Sequence, residues 1–142
     1  MLLAKFKIMK KLPSKDPSGH IKIAVSNSAK SKKFYKKLFE FLSYKKIAEK
    51  EDSIAYCSCE GFGIWIKQAK QLKPAYQFFA PGLHHLCFKA KNKKQVDELY
   101  NFLIKNKIKI FDSPEHYPEY TPEYYAVFFA DPDGIKLELA WY

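Results

Sequence analysis

The chain has 142 residues, of which 47% are hydrophobic, 17% aromatic and 28% charged. That balance excludes a disordered or collagen-like polymer, and no apolar run reaches the roughly 18–20 residues of a membrane span. Its net charge of +10 rests on 25 basic residues, every one a lysine, with the excess confined to residues 1–70. Without the bidentate arginine fork the chain is not expected to read a specific nucleic-acid sequence, and the lysine excess reads as solvated surface. At the start, Met1-Leu2-Leu3-Ala4 meets Lys5 and Lys7 before a continuous apolar segment forms. No secretory signal and a cytoplasmic location are therefore expected.

Residues 1–18 read as an N-terminal extension in which Ala4, Phe6 and Ile8 alternate as in an edge strand. Next, His20-Ile21-Lys22-Ile23-Ala24-Val25 alternates as a half-buried strand, with Ile21, Ile23 and Val25 on one face. The cap-like Ser26-Asn27-Ser28 precedes a helix with Phe34, Leu38, Phe41 and Leu42 at helical spacing. Strand-like runs follow at Lys45–Glu49, Ser53–Cys59 and Phe62–Gln68, then a linker over 69–81 containing Pro74 and Pro81.

The same order then recurs. His85-Leu86-Cys87-Phe88-Lys89-Ala90 is a second alternating strand, and Asn92 caps a helix with Val96, Leu99, Tyr100 and Leu103 as its stripe. Strands are predicted at Ile108–Phe111, Tyr124–Ala130 and Ile135–Trp141, the last two joined by the turn Asp131-Pro132-Asp133-Gly134. Residues 19–142 thus predict one α+β domain of two βαβββ modules, 19–68 and 82–142, with helices packed outside curved sheets. Cys57, Cys59 and Cys87 lack zinc or redox spacing and read as buried thiols of a reducing compartment.

Superimposing the copies pairs His20 with His85 and sets Glu138 opposite Trp65. By strand parity His20, His85 and Glu138 all leave the face opposite the apolar one, and sheets curling around a cleft bring them together there. Two histidines and a carboxylate hold a divalent ion such as iron, zinc, manganese or nickel with coordination positions left open. Lys22 and Lys136 flank those positions on the same face, and Trp65 shares it, so these three are candidate substrate-pocket residues. The tyrosine-rich, proline-stiffened stretch from Pro114 to Tyr125 has no equally long counterpart in the first copy. It is a candidate lid, from which His116 or Tyr125 would pass a proton in concert with Glu138.

Three segments carry a resemblance: Gly19 to Val25, Gly82 to Phe88, and Phe129-Ala130-Asp131-Pro132-Asp133-Gly134-Ile135-Lys136-Leu137-Glu138. With them the sequence resembles the vicinal oxygen chelate superfamily, which includes glyoxalase I, methylmalonyl-CoA epimerase, extradiol dioxygenases and bleomycin-resistance proteins. The resemblance implies an open, curved mixed-sheet cup of the glyoxalase type, with His20, His85 and Glu138 at metal-ligand positions. Trp65 stands where glyoxalase I and the epimerase carry Glu or Gln, and Phe128 where the dioxygenases usually carry Tyr. What it implies is a homodimeric metalloenzyme that chelates neighbouring oxygens of a small organic substrate. Glyoxalase-like lyase or isomerase chemistry comes first, an extradiol dioxygenase second, and a non-catalytic bleomycin-resistance-type binding protein is the remaining alternative.

Overall fold

A computed structural model describes residues 15–142. The strand expected around Ala4, Phe6 and Ile8 lies outside the described residues. Strand β1 (His20–Val25) leads into helix α1 (Ser28–Phe41), then β2 (Lys45–Lys50), β3 (Ser53–Cys57) and β4 (Gly63–Gln68). The second copy runs β5 (Leu86–Lys89), α2 (Lys93–Lys105), β6 (Ile110–His116), β7 (Tyr125–Ala130) and β8 (Lys136–Trp141). Each copy folds its strands into a four-stranded mixed sheet, in the orders β1-β4-β3-β2 and β5-β8-β7-β6. In both, the first strand lies parallel to the last and the rest are antiparallel, and among the described residues no ladder joins the two sheets.

Local chemistry explains the repeat. The Asn27 and Asn92 side chains accept hydrogen bonds from Lys30 N and Gln95 N, both at 2.9 Å, capping the helices where their first N–H groups lack partners. Strand alternation buries Ile23, Val25, Ile64 and Ile66 of the first sheet, and Leu137, Leu139, Val127 and Phe129 of the second, against the helices in one continuous core. Phe39 ties the halves together: its ring lies 4.7 Å from Tyr56, 5.2 Å from Tyr44 and 5.9 Å from Phe88. A buried hydrogen bond crosses the same boundary, the Tyr35 hydroxyl donating to Asp131 Oδ2 at 2.8 Å.

Three expectations need correction. The buried face of α1 is Ser31, Tyr35, Leu38 and Phe39, while Phe34 and Phe41 sit at its margin. The stripe is turned because Tyr35 can go inside once Asp131 accepts a hydrogen bond from its hydroxyl. Residues 114–116 of the expected lid belong to β6, whose ladder to β7 slips twice, between Ile110 and Asp112 and between Asp112 and Glu115. Pro114 is tolerated there because β6 is an edge strand. All three cysteines are free, but Cys59 lies beyond the end of β3 and is exposed, and Cys57 and Cys87 are only half-buried. Among the described residues no helix is long and apolar enough to cross a membrane.

Candidate functional site

The second sheet is covered on both faces. One packs on α2; the other carries a small apolar cluster of Ala126, Phe128 and Ala140, flanked by Cys87, Phe111, Tyr117 and Tyr124. Glu138 points into this second face. Its strand neighbours Leu137 and Leu139 fill the main core, so parity forces the carboxylate the other way, opposite Phe128 on β7 and Cys87 on β5. It is only 2% exposed. A carboxylate so buried demands partners, and Tyr124 and His85 reach its two oxygens. The Tyr124 hydroxyl donates to Oε1 at 2.6 Å, and His85 Nε2 lies 3.0 Å from Oε2.

The chain of contacts continues outward. His84 Nδ1 lies 2.7 Å from His85 Nδ1, and the His84 ring meets Phe78 edge-on at 5.4 Å. If the Nε2–H of His85 is donated to Glu138, Nδ1 of His85 is left to accept from the Nδ1–H of His84; the reverse direction holds once Nε2 is a ligand. Tyr124, Glu138, His85 and His84 therefore form one hydrogen-bonded series running from the buried face to solvent.

The neighbours are tuned to stay protonated. Burial, reinforced by Glu138, pushes the Cys87 thiol up to about 12, so it is a packing group rather than a thiolate nucleophile. Burial, then the bond to Glu138, holds the Tyr124 phenol well above the ordinary tyrosine value. Tyr117 is shifted the same way, by burial first and then by Glu115. Its hydroxyl is shut away without a hydrogen bond of acceptable geometry, while its ring stands 5.6 Å from Phe128.

The other expected residues are distributed as follows. His20, Lys22 and Trp65 share the open face of the first sheet: His20 is in register with Gly63, and Lys22 with Trp65, its ammonium 5.7 Å from the indole. Gly63 has a reason to be glycine, since a Cβ there would sit 3.1 Å from that of His20. His20 is exposed and apart from the His85–Glu138 pair. Among the described residues no three His, Cys, Asp or Glu side chains gather closely enough to hold an ion. The halves meet elsewhere: Ser26, just past the end of β1, hydrogen-bonds through its N–H and its hydroxyl to the Asp133 carboxylate ahead of β8.

His116 and Tyr125 fall on the helix side instead. Their rings pack at 4.9 Å, and the Tyr125 hydroxyl donates to Asp97 of α2 at 2.7 Å. The tyrosine that reaches Glu138 is Tyr124. Parity was the available signal: Tyr124 shares the even-numbered positions of Ala126, Phe128 and Glu138, whereas Tyr125 sits in the odd, core-facing series. His84 was also missed as a partner of His85, because it precedes β5 and strand parity does not govern it.

Comparison with known proteins agrees with this architecture. Residues 18–139 match the family described as the Glyoxalase/Bleomycin resistance protein/Dioxygenase superfamily, and the chain belongs to that superfamily. It is 34% identical over 122 residues to the uncharacterized protein YqjT of Bacillus subtilis (strain 168), covering 84% of this chain and 94% of that protein. A crystal structure of a presumed glyoxalase from Bacillus halodurans is similar at TM-score 0.78 and 26% identity, over 89% of this chain and 96% of that one. The lactoylglutathione lyase of Agrobacterium tumefaciens shares the fold at TM-score 0.62 and 18% identity, over 87% and 91% of the two chains.

Proposed function

We propose that the protein is a metal-dependent enzyme of glyoxalase-like lyase or isomerase type, acting on a small organic molecule with two neighbouring oxygens. The observation that carries this reading is the buried Glu138 carboxylate, held by Tyr124 on one oxygen and facing His85 Nε2 on the other. The 3.0 Å between Nε2 and Oε2 suits two adjacent ligands of one divalent ion, whose bonds to nitrogen and oxygen run about 2.0–2.2 Å. Two donors from one chain are an incomplete set, so the fit requires another. We assign it to His20 of a second copy of this chain. Supporting this, β1 and β5 are terminal strands of their sheets, and β1 presents His20, Lys22 and Ala24 to solvent. Open edges of that kind call for a cover.

A bound ion would supply positive charge to the substrate's paired oxygens as negative charge develops on them. The chain's own groups divide the remaining work. Glu138, with Oε2 released from the ion for the transfer, would accept a proton from the carbon beside the substrate carbonyl and return it to the neighbouring atom. Tyr124 fixes the carboxylate through Oε1, and His84 fixes the His85 ring through Nδ1. The apolar walls at Phe128 and Ala126 keep the site dry.

A second reading, a binding protein without catalysis, is favoured by the described residues of one chain not gathering three donors. Metal content of untagged wild type beside Glu138→Ala separates the two. The enzyme reading expects about one ion per chain in wild type and loss of the ion in the variant. A wild type that cannot be loaded with iron, zinc, nickel or manganese would overturn it.

A further inference from the structure

On the helix side of the sheets, away from the Glu138 face, α1 and the second half flank a groove that the reading above does not use. Its cavity of about 190 Å³ is lined by Lys30, Lys33, Phe34 and Lys37 of α1 and, from the second half, by Asn106, Ile108 and Pro132. The spacing i, i+3, i+7 sets the three lysines on one flank of the helix, over about 10 Å of its length. All three are exposed, and among the described residues none has a carboxylate within 4.0 Å. The lining itself holds no acidic side chain. The aspartates on either side of Pro132 are already engaged, Asp131 by the Tyr35 hydroxyl and Asp133 by Ser26. Like charges at these spacings repel one another and weaken the helix, and an anion between them would reverse the effect.

Not every lysine of α1 is placed in this way. Lys32 donates to the backbone carbonyls of Lys50 and Glu51, so the fold itself occupies it. Lys37 donates to Asn106 Oδ1 at 3.1 Å, which holds its ammonium over the groove with further N–H groups to offer. Asn106 is fixed in turn, its Nδ2 donating to the Phe102 carbonyl at 2.8 Å. Beneath the ammoniums the floor is apolar: Phe34, Ile108 and Pro132 are each only half-buried, although Phe34 and Ile108 pack on the core below. A bare anion would satisfy the ammoniums and leave this floor wet. An anion carrying an apolar group would cover both. The size of the cavity restricts that group to a short chain or a single ring.

From this geometry we infer that the groove between α1 and the second half is a binding site for a small organic diphosphate. The phosphates lie along Lys30, Lys33 and Lys37, and the organic group lies on Phe34, Ile108 and Pro132. Lysine suits the task, since its ammonium meets phosphate oxygens as a point charge and needs no fixed orientation. Because the lining comes from both halves, the ligand strengthens the seam between them and raises the thermal midpoint. The site takes part in no step assigned to Glu138, so it stands or falls independently of that reaction.

The test titrates full-length protein with dimethylallyl diphosphate and with inorganic pyrophosphate, in divalent-free buffer, by calorimetry and thermal melting. Wild type is compared with Lys33→Met, Lys33→Arg, the double variant Lys30→Met/Lys37→Met, and Lys36→Met. Lys36 is exposed on the same helix but lies outside the groove lining. Wild type is expected to bind the organic diphosphate saturably, about tenfold more tightly than pyrophosphate, and to melt at a higher temperature in its presence. The affinity should fall about tenfold in Lys33→Met and in the double variant, and survive in Lys33→Arg and Lys36→Met. Without ligand, Lys33→Met should melt no lower than wild type, since it relieves repulsion along the helix. No saturable binding at millimolar probe overturns the proposal. So does pyrophosphate binding as tightly as the organic diphosphate, which would leave the apolar floor unused. A loss in Lys36→Met equal to that in Lys33→Met would also overturn it, by showing an effect of net charge alone.

Discussion

Replacing Asp131 by Asn should change how stability varies with pH. Asp131 opens the Asp-Pro-Asp-Gly turn and is 5% exposed. Its Oδ1 accepts the N–H groups of Asp133 and Ile135, both at 2.8 Å, and Oδ2 accepts the Tyr35 hydroxyl. Burial outweighs those bonds and raises the carboxyl from 3.8 to about 6. The sign follows directly. Below about pH 3.8 the group is neutral folded and unfolded, and burying it costs nothing in charge. Between 3.8 and about 6 the unfolded chain ionises first, so stability falls as pH rises. That displacement corresponds to about 3 kcal/mol, fully felt at neutral pH. Asparagine keeps an acceptor for both N–H groups and cannot ionise. Urea unfolding of wild type and Asp131→Asn at matched pH should therefore show the variant gaining about 2–3 kcal/mol on wild type between about pH 4 and pH 7. A difference that stays constant within about 0.5 kcal/mol across that range would refute the assignment of a strained, buried carboxyl at this turn.

Tyr124→Phe leaves Glu138 Oε1 buried without its donor and should cost about 1–3 kcal/mol, whereas Tyr125→Phe loses only the exposed bond to Asp97 and should cost less than about 1 kcal/mol. Denaturation of both variants checks the order, and the reverse order would contradict the two-faced placement of these tyrosines. Phe39→Ala removes the ring shared by Tyr35, Tyr44, Tyr56 and Phe88, at a cost of about 3–5 kcal/mol. Because that ring bridges both halves, fluorescence and circular dichroism of wild type should report one coincident transition. Two separated transitions in wild type would show that the halves are independent.

Much of the fold was legible because strand parity and helix capping are local. His20, Lys22 and Trp65 did fall on one face, and His85, Lys136 and Glu138 on another. What a sequence hides is how those faces meet. The docking of the halves is set by contacts such as Ser26 with Asp133 and Tyr35 with Asp131, far apart in the chain and without periodic signature. The α1 stripe was misplaced for the same reason, since burial of Tyr35 depends on an acceptor in the other half. The rings of Phe78 and Phe111 around the Lys136 ammonium were out of reach too, because Phe78 comes from the linker and Phe111 from an irregular edge strand.

The site's assembly from two copies is tested most directly by mixing. His20→Ala and Glu138→Ala chains, each prepared alone, should bind no ion. Co-expressed in equal amounts, half of a random population of twofold dimers is mixed, and each mixed dimer regains one complete site. The account predicts about one quarter of an ion per chain in that preparation, recovered at a stoichiometry that tracks the mixed dimer. No recovery, with each variant folded and dimeric, would contradict it.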